Sequence, residues 1–96
     1  MRIEHFVHKG LKKLYLEDST KGLPADAANK VRNMLAFLQD MNEETELETI
    51  AIWKAHRLTG NRKGVWSLHV TKNWRLTFRI DREANEVRDV NLEDYH

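Results

Sequence analysis

Apolar residues recur at helical spacing in the first half of the chain and alternate with polar ones beyond Trp53. In "KGLKKLYLED", Leu11, Leu14 and Tyr15 lie three and four positions apart, which predicts a short first helix. In "GLPADAANKVRNMLAFLQDM", Gly22 breaks the chain and Pro24 suits a first helical turn. Ala28, Val31, Leu35 and Leu38 then repeat every three or four residues, predicting a second, longer helix. Before these, "RIEHFV" alternates only faintly and reads as a short strand at most. After them, the acidic "NEETELETI" reads as a connecting turn or short helix.

From Val65 onward the period is two. Trp66, Leu68 and Val70 alternate with Ser67, His69 and Thr71; Trp74, Leu76, Phe78 and Ile80 alternate with Arg75, Thr77 and Arg79. Two strands joined tightly at "TKN" follow from that pattern. "EVRDVNLED" adds a further strand with Val90 and Leu92 turned inward. The expected architecture is therefore α+β, with the N-terminal helices packed on one face of a small antiparallel β-sheet. Ser67, His69, Arg75, Thr77 and Arg79 would line the other face, left polar and open. One proline, no repeat and no linker argue for a single domain over residues 1–96.

Charge sharpens this picture, because the overall +1 is unevenly spread. Residues 1–50 carry seven Lys/Arg and nine Asp/Glu, a net of −2; residues 51–82 carry eight and one, a net of +7; residues 83–96 carry one and five, a net of −4. A basic middle segment suits a polyanion such as RNA or DNA. It equally suits pairing with the acidic tail across a sheet, and charge alone leaves both open. The absence of cysteine excludes a disulfide framework and thiolate metal sites, and no His/Asp/Glu cluster has metal-ligand spacing. No cofactor is expected. The N-terminal "MRIEHFVHKG" lacks the apolar run of a signal peptide, and no stretch is long enough to span a membrane, so a cytoplasmic protein is expected.

The candidate chemistry gathers at two places. "VNLEDYH" sets a carboxylic acid, a phenol and an imidazole side by side at Asp94, Tyr95 and His96, and if the last strand pairs into the sheet they sit at its rim. "WKAHRLTGNRKG" holds His56 just before a glycine-flanked loop with Asn61, Arg62 and Lys63, which reads either as a phosphate cradle or as an ordinary hairpin loop. Metal-free RNA cleavage needs a base for the 2′-hydroxyl, cations for the charge on phosphorus and an acid for the departing 5′-oxygen. Histidine fills either proton-transfer role near neutrality. The remaining histidines, His5, His8 and His69, suit surface or strand positions, and Trp53, Trp66 and Trp74 suit the core.

The run "HRLTGNRKGVWSLHVTKNWRLTFRI" with a terminal "VNLEDYH" resembles the HigB branch of the RelE/ParE toxin superfamily, a resemblance compatible with nearly the whole chain. It implies a RelE-like microbial RNase fold and a ribosome-dependent toxin that cleaves messenger RNA in the A site. It also implies 2′,3′-cyclic phosphate and 5′-hydroxyl ends, and silencing by a HigA-type helix-turn-helix antitoxin through which operator DNA is reached only indirectly. Carried over position by position, the family pattern points to His56, Arg75, Asp94, Tyr95 and His96. On that reading Asp94 or His56 is the general base, His96 the leading general acid, Arg75 the cation on the scissile phosphate and Tyr95 a stacking or positioning group. Lys54, Arg57, Arg62, Lys63, Lys72 and Arg79 complete the RNA-binding set. One departure stands out: Thr59 occupies a loop position where several family members carry lysine, for which Lys54, Arg57 or Arg62 would have to substitute.

Two other classes compete. A ParE-like inhibitor of DNA gyrase would share the fold but has no need of the terminal acid, phenol and imidazole. A non-catalytic nucleic-acid-binding module would need only the basic face.

Overall fold

The computed structural model describes residues 1–94, and Tyr95 and His96 lie outside the described residues. The change of period after Trp53 corresponds to a change of layer. Helix α1 spans Lys9–Glu17 and α2 spans Ala28–Asp40; strands β1 (Arg2–Ile3), β2 (His56–Arg57), β3 (Val65–His69), β4 (Trp74–Asp81) and β5 (Glu86–Asp94) form one sheet ordered β1-β5-β4-β3-β2. Between the layers run two short 3-10 segments, Glu44–Thr49 and Ala51–Trp53, and a third, Gly60–Arg62, links β2 to β3. No helix among the described residues is long and apolar enough to cross a membrane.

Both helices form where the spacing predicts, with one shift. Pro24 lies in the turn ahead of α2, where its carbonyl accepts from the amides of Ala27 and Ala28, and the helix itself begins at Ala28. Ala28, Val31, Met34, Leu35 and Leu38 line its buried side. At the head of α1, Nδ1 of His8 accepts from the Leu11 amide at 3.3 Å, an N-cap that only an unprotonated nitrogen can make. A Cβ on Gly10 would lie 2.8 Å from the His8 ring, so glycine is needed for that close approach.

In the sheet, Trp66 faces Phe78, Leu68 faces Leu76, and Leu76 faces Leu92 across the ladders. These side chains share one core cluster with Leu11, Leu14, Val31, Leu35 and Leu38. Val90 and Leu92 are buried, as the alternation of the last strand predicts. The sheet is mixed, however. β1 runs parallel to β5, with Arg2 beside Glu86 and Ile3 beside Val87, a direction open to strands that no hairpin joins. β5 is consequently an interior strand, bonded by β4 on one side and by β1 and Phe6 on the other.

A register shift interrupts the β4–β5 ladder between Thr77 and Arg79, where Asp89 takes a left-handed conformation with φ of 55°. One extra residue in β5 opposite Phe78 keeps Val87 on the buried side below the shift and Val90 and Leu92 there above it.

The His8 cap generates a pH dependence. Burial pushes the His8 imidazole below its ordinary value, so the folded chain favours the neutral form. Through the window below about pH 6.5 the unfolded chain then binds more protons, and stability falls as pH drops through the depressed folded value. Denaturant titrations at about pH 7.5 and pH 5.5 should show a larger loss for the native chain than for His8→Asn, whose amide caps without titrating. Equal losses would remove His8 as the titrating cap.

Candidate active site

Alternation along the strands decides which side chains share the face opposite the helices. Across the ladders, His56 on β2 is in register with Ser67 on β3, Ser67 with Thr77 on β4, and Thr77 with Asn91 on β5. One step along, His69 faces Arg75, and Arg75 faces Glu93. Neighbouring strands lie about 5 Å apart, so His56 and Thr77, two strands apart, frame a site about 10 Å wide.

The expectation of an open polar face needs correcting at its centre, because Ser67 and Thr77 are buried. Charge is what lies over Thr77. Nη1 of Arg62 donates to Oε1 of Glu93 at 2.9 Å, Nη2 of Arg62 donates to Oε2, and the Thr77 hydroxyl donates to that same Oε2. The hydrogen bond from Arg62 holds the Glu93 carboxyl below the usual carboxylate range. Burial opposes this, and the Thr77 hydroxyl and the charges of Arg62 and Arg75 reinforce it. Arg62 is correspondingly pushed up by its bond to Glu93. Sequence reasoning names Asp94 and passes over Glu93. The missed signal is parity: with Leu92 turned inward, Glu93 must share the polar face with Arg75, while Asp94 falls on the opposite pleat.

The predicted residues separate accordingly. His56 and Arg75 share the polar face. Asp94 ends β5 opposite Trp74 and is exposed at the rim, on the helix-side pleat. Tyr95 and His96 lie outside the described residues. Among the six proposed RNA-binding cations, Arg57 turns to the helix side, where its guanidinium lies 5.1 Å from the centre of the Trp66 ring and pairs with Glu44, which Arg82 also engages. Arg62 is committed to Glu93. Arg79 remains on the polar face, donating to the Lys63 carbonyl at 3.3 Å and lying 3.9 Å from Asp89. Lys54, Lys63 and Lys72 are exposed, and among the described residues none of them has an ion pair. Thr59, where the resemblance leads one to expect a lysine, is exposed just ahead of the Gly60–Arg62 turn.

His56 is exposed, and its Nδ1 lies 2.9 Å from the carbonyl oxygen of Lys54. A carbonyl only accepts, so Nδ1 carries the hydrogen and the neutral ring has its lone pair on Nε2. Lys54 adopts a left-handed φ of 48°, the backbone bend from which its carbonyl meets the ring. The face thus offers a proton acceptor, a guanidinium and a neighbouring ionised carboxylate. Among the described residues no three His, Asp or Glu side chains gather to hold a metal ion.

A family model described as the RelE-like toxin of the type II toxin–antitoxin system HigB matches residues 4–96. The endoribonuclease HigB of Proteus vulgaris is 38% identical over 94 residues, covering 98% of this chain and 99% of that protein. A solved YafQ variant from E. coli superposes with a TM-score of 0.59 at 20% identity, covering 98% of this chain and 93% of that one. The YoeB–YefM complex from Staphylococcus aureus gives 0.56 at 19% identity, covering 100% and 99%. At such identities these two structures establish a common fold.

The tautomer of His56 is directly measurable. Long-range proton–nitrogen correlation spectra of the neutral ring should report a protonated Nδ1 and a bare Nε2. The reverse assignment would withdraw His56 as an Nε2 base.

Proposed function

The chain belongs to the HigB-like family of RelE-like toxins from type II toxin–antitoxin systems, and from that premise we propose that it is an endoribonuclease that cuts messenger RNA in the ribosomal A site, without a metal. The observation that carries this reading is the shared face of His56 and Arg75, with a bare imidazole nitrogen on one side and a guanidinium on the other. The name of the Proteus vulgaris relative supports the same chemistry.

In this mechanism Nε2 of His56 takes the proton of the 2′-hydroxyl as its oxygen attacks the adjacent phosphorus. Arg75 stabilises the negative charge gathering on the phosphoryl oxygens, and His96 protonates the departing 5′-oxygen. The products are a 2′,3′-cyclic phosphate and a 5′-hydroxyl. The common face favours His56 over Asp94 as the base, since Asp94 lies on the other pleat. Asp94 at the rim is then suited to orienting its neighbours, and Tyr95 is assigned the role of stacking on or positioning the RNA. Lys63, Lys72 and Lys54 supply cations along the RNA backbone. The protein acts in the cytoplasm as a single domain, and a HigA-type antitoxin silences it.

Translating ribosomes supplied with a defined message should be cut when a transition-metal chelator is present and magnesium is held constant. The 5′ ends should accept phosphate from polynucleotide kinase directly, and the 3′ ends should resist tailing until the cyclic phosphate is opened and removed. His56→Asn keeps the Nδ1-like donor but loses Nε2, and should lower the cleavage rate by about a hundred- to ten-thousandfold with unfolding unchanged. Loss of cutting in the chelator, or gyrase inhibition by a chain that leaves messages intact, would overturn the proposal.

A further inference from the structure

Glu93 accepts three hydrogen bonds on the polar face, yet no step of the proposed cleavage uses it. Its carboxylate receives both terminal nitrogens of Arg62 and the hydroxyl of buried Thr77, and it stands in register with Arg75. Arg62 ends the Gly60–Arg62 turn, and the next residue, Lys63, closes it with an amide that donates to the Gly60 carbonyl at 3.1 Å. The Lys63 carbonyl is in turn held by Arg79. One carboxylate therefore ties the β2–β3 turn, 31 residues away in sequence, to the two strands that carry Arg75 and Asp94.

We propose that Glu93 is a positioning residue for RNA cleavage: it clamps Arg62 and Thr77 so that the turn bearing Lys63 is held in a fixed place on the polar face that carries Arg75, and Arg62 belongs to this framework and not to the phosphate-binding set. The inference rests on the endoribonuclease reading. Its physical basis is geometry. Two parallel N–H···O bonds fix a guanidinium in plane and direction, which a lysine or a single hydrogen bond does not. A phosphate that took the terminal fork of Arg62 would have to displace a carboxylate already held at three points, two of them from Arg62 itself. Lys63, in contrast, is exposed beside the clamp.

A double-mutant cycle separates framework from ligand. Glu93→Gln should lower kcat on ribosome-bound message by about a hundredfold, the cost of a misplacement on the order of 1 Å, while KM and ribosome affinity stay near those of the native chain. Arg62→Gln should give the same loss, and the double variant should lose little more, because both changes break one clamp. In salt titrations of ribosome binding, Arg62→Gln should leave the slope unchanged, whereas Arg75→Gln should lower it by about one. Thr77→Val removes a single contact and gives a milder loss in the same direction, which keeps the test available if Glu93→Gln does not fold. Additive losses, or a reduced salt slope for Arg62→Gln, would place Arg62 on a phosphate and overturn the proposal, as would native kcat in Glu93→Gln.

Amide exchange on the protein alone gives an arm independent of activity. The Lys63 amide should lose protection in Glu93→Gln while amides of the β4–β5 ladder keep theirs. Unchanged Lys63 protection would show that Glu93 does not hold the turn. If the native chain leaves ribosome-bound message intact, the functional reading fails, while the exchange result still decides whether the clamp exists.

Discussion

Everything on the polar face depends on the register of β4. Leu76 and Phe78 enter the core while Arg75, Thr77 and Arg79 point away from it, and a slip of one residue would send the guanidinia into the apolar layer. Burial of Phe78, Leu76 and Leu68 beneath the helices prevents that slip, since each fully buried side chain of this size is worth about 1.5–3 kcal/mol. The extra residue at Asp89 serves the same constraint on β5. It lets Val87 and Val90, three positions apart, both face inward, which strict alternation forbids.

Electrostatics is organised within that frame. Part of the basic middle segment is neutralised inside the protein: Arg57 and Arg82 converge on Glu44, Arg62 on Glu93, and Arg79 leans toward Asp89. Pairing with the acidic tail and display of positive charge are therefore both realised, by different residues. The lysines at 54, 63 and 72 remain exposed, and a compact ammonium on a flexible stem suits a mobile polyphosphate backbone better than a committed bidentate pair. The exposed ion pairs contribute little each. The Arg62–Glu93 pair differs because it is partly buried, bidentate and shared with a buried hydroxyl.

The support given to β5 changes along its length. The first half of β5 is bonded on both flanks, by β4 and by β1 at Glu86 and Val87 with a further bridge from Phe6 to Val90, while Asn91, Leu92, Glu93 and Asp94 are held by the β4 ladder. β1, a two-residue strand running parallel beside β5, adds its inward Ile3 to the core.

The sequence by itself determined the layers, because hydrophobic period is a local property: spacing of three and four gave α1 and α2, spacing of two gave β3, β4 and β5, and Val90 and Leu92 were legible as buried. Parity also made Glu93 readable as a polar-face residue, although the neighbouring acid at 94 drew the chemistry. Only the tertiary structure decided the rest, since it depends on pairs distant in the chain. The parallel seat of β1, the strand made by His56 and Arg57, and the bond from His56 to the Lys54 carbonyl are set by neighbours that no spacing names. Arg57 and Arg62 carry the same charge and sit five residues apart, yet one turns to Trp66 and Glu44 and the other to Glu93. The pleat of β2 sends Arg57 to the helix side and the Gly60–Arg62 turn brings Arg62 to the polar face, and the carboxylate waiting on each side, in a different part of the chain, fixes what each arginine does.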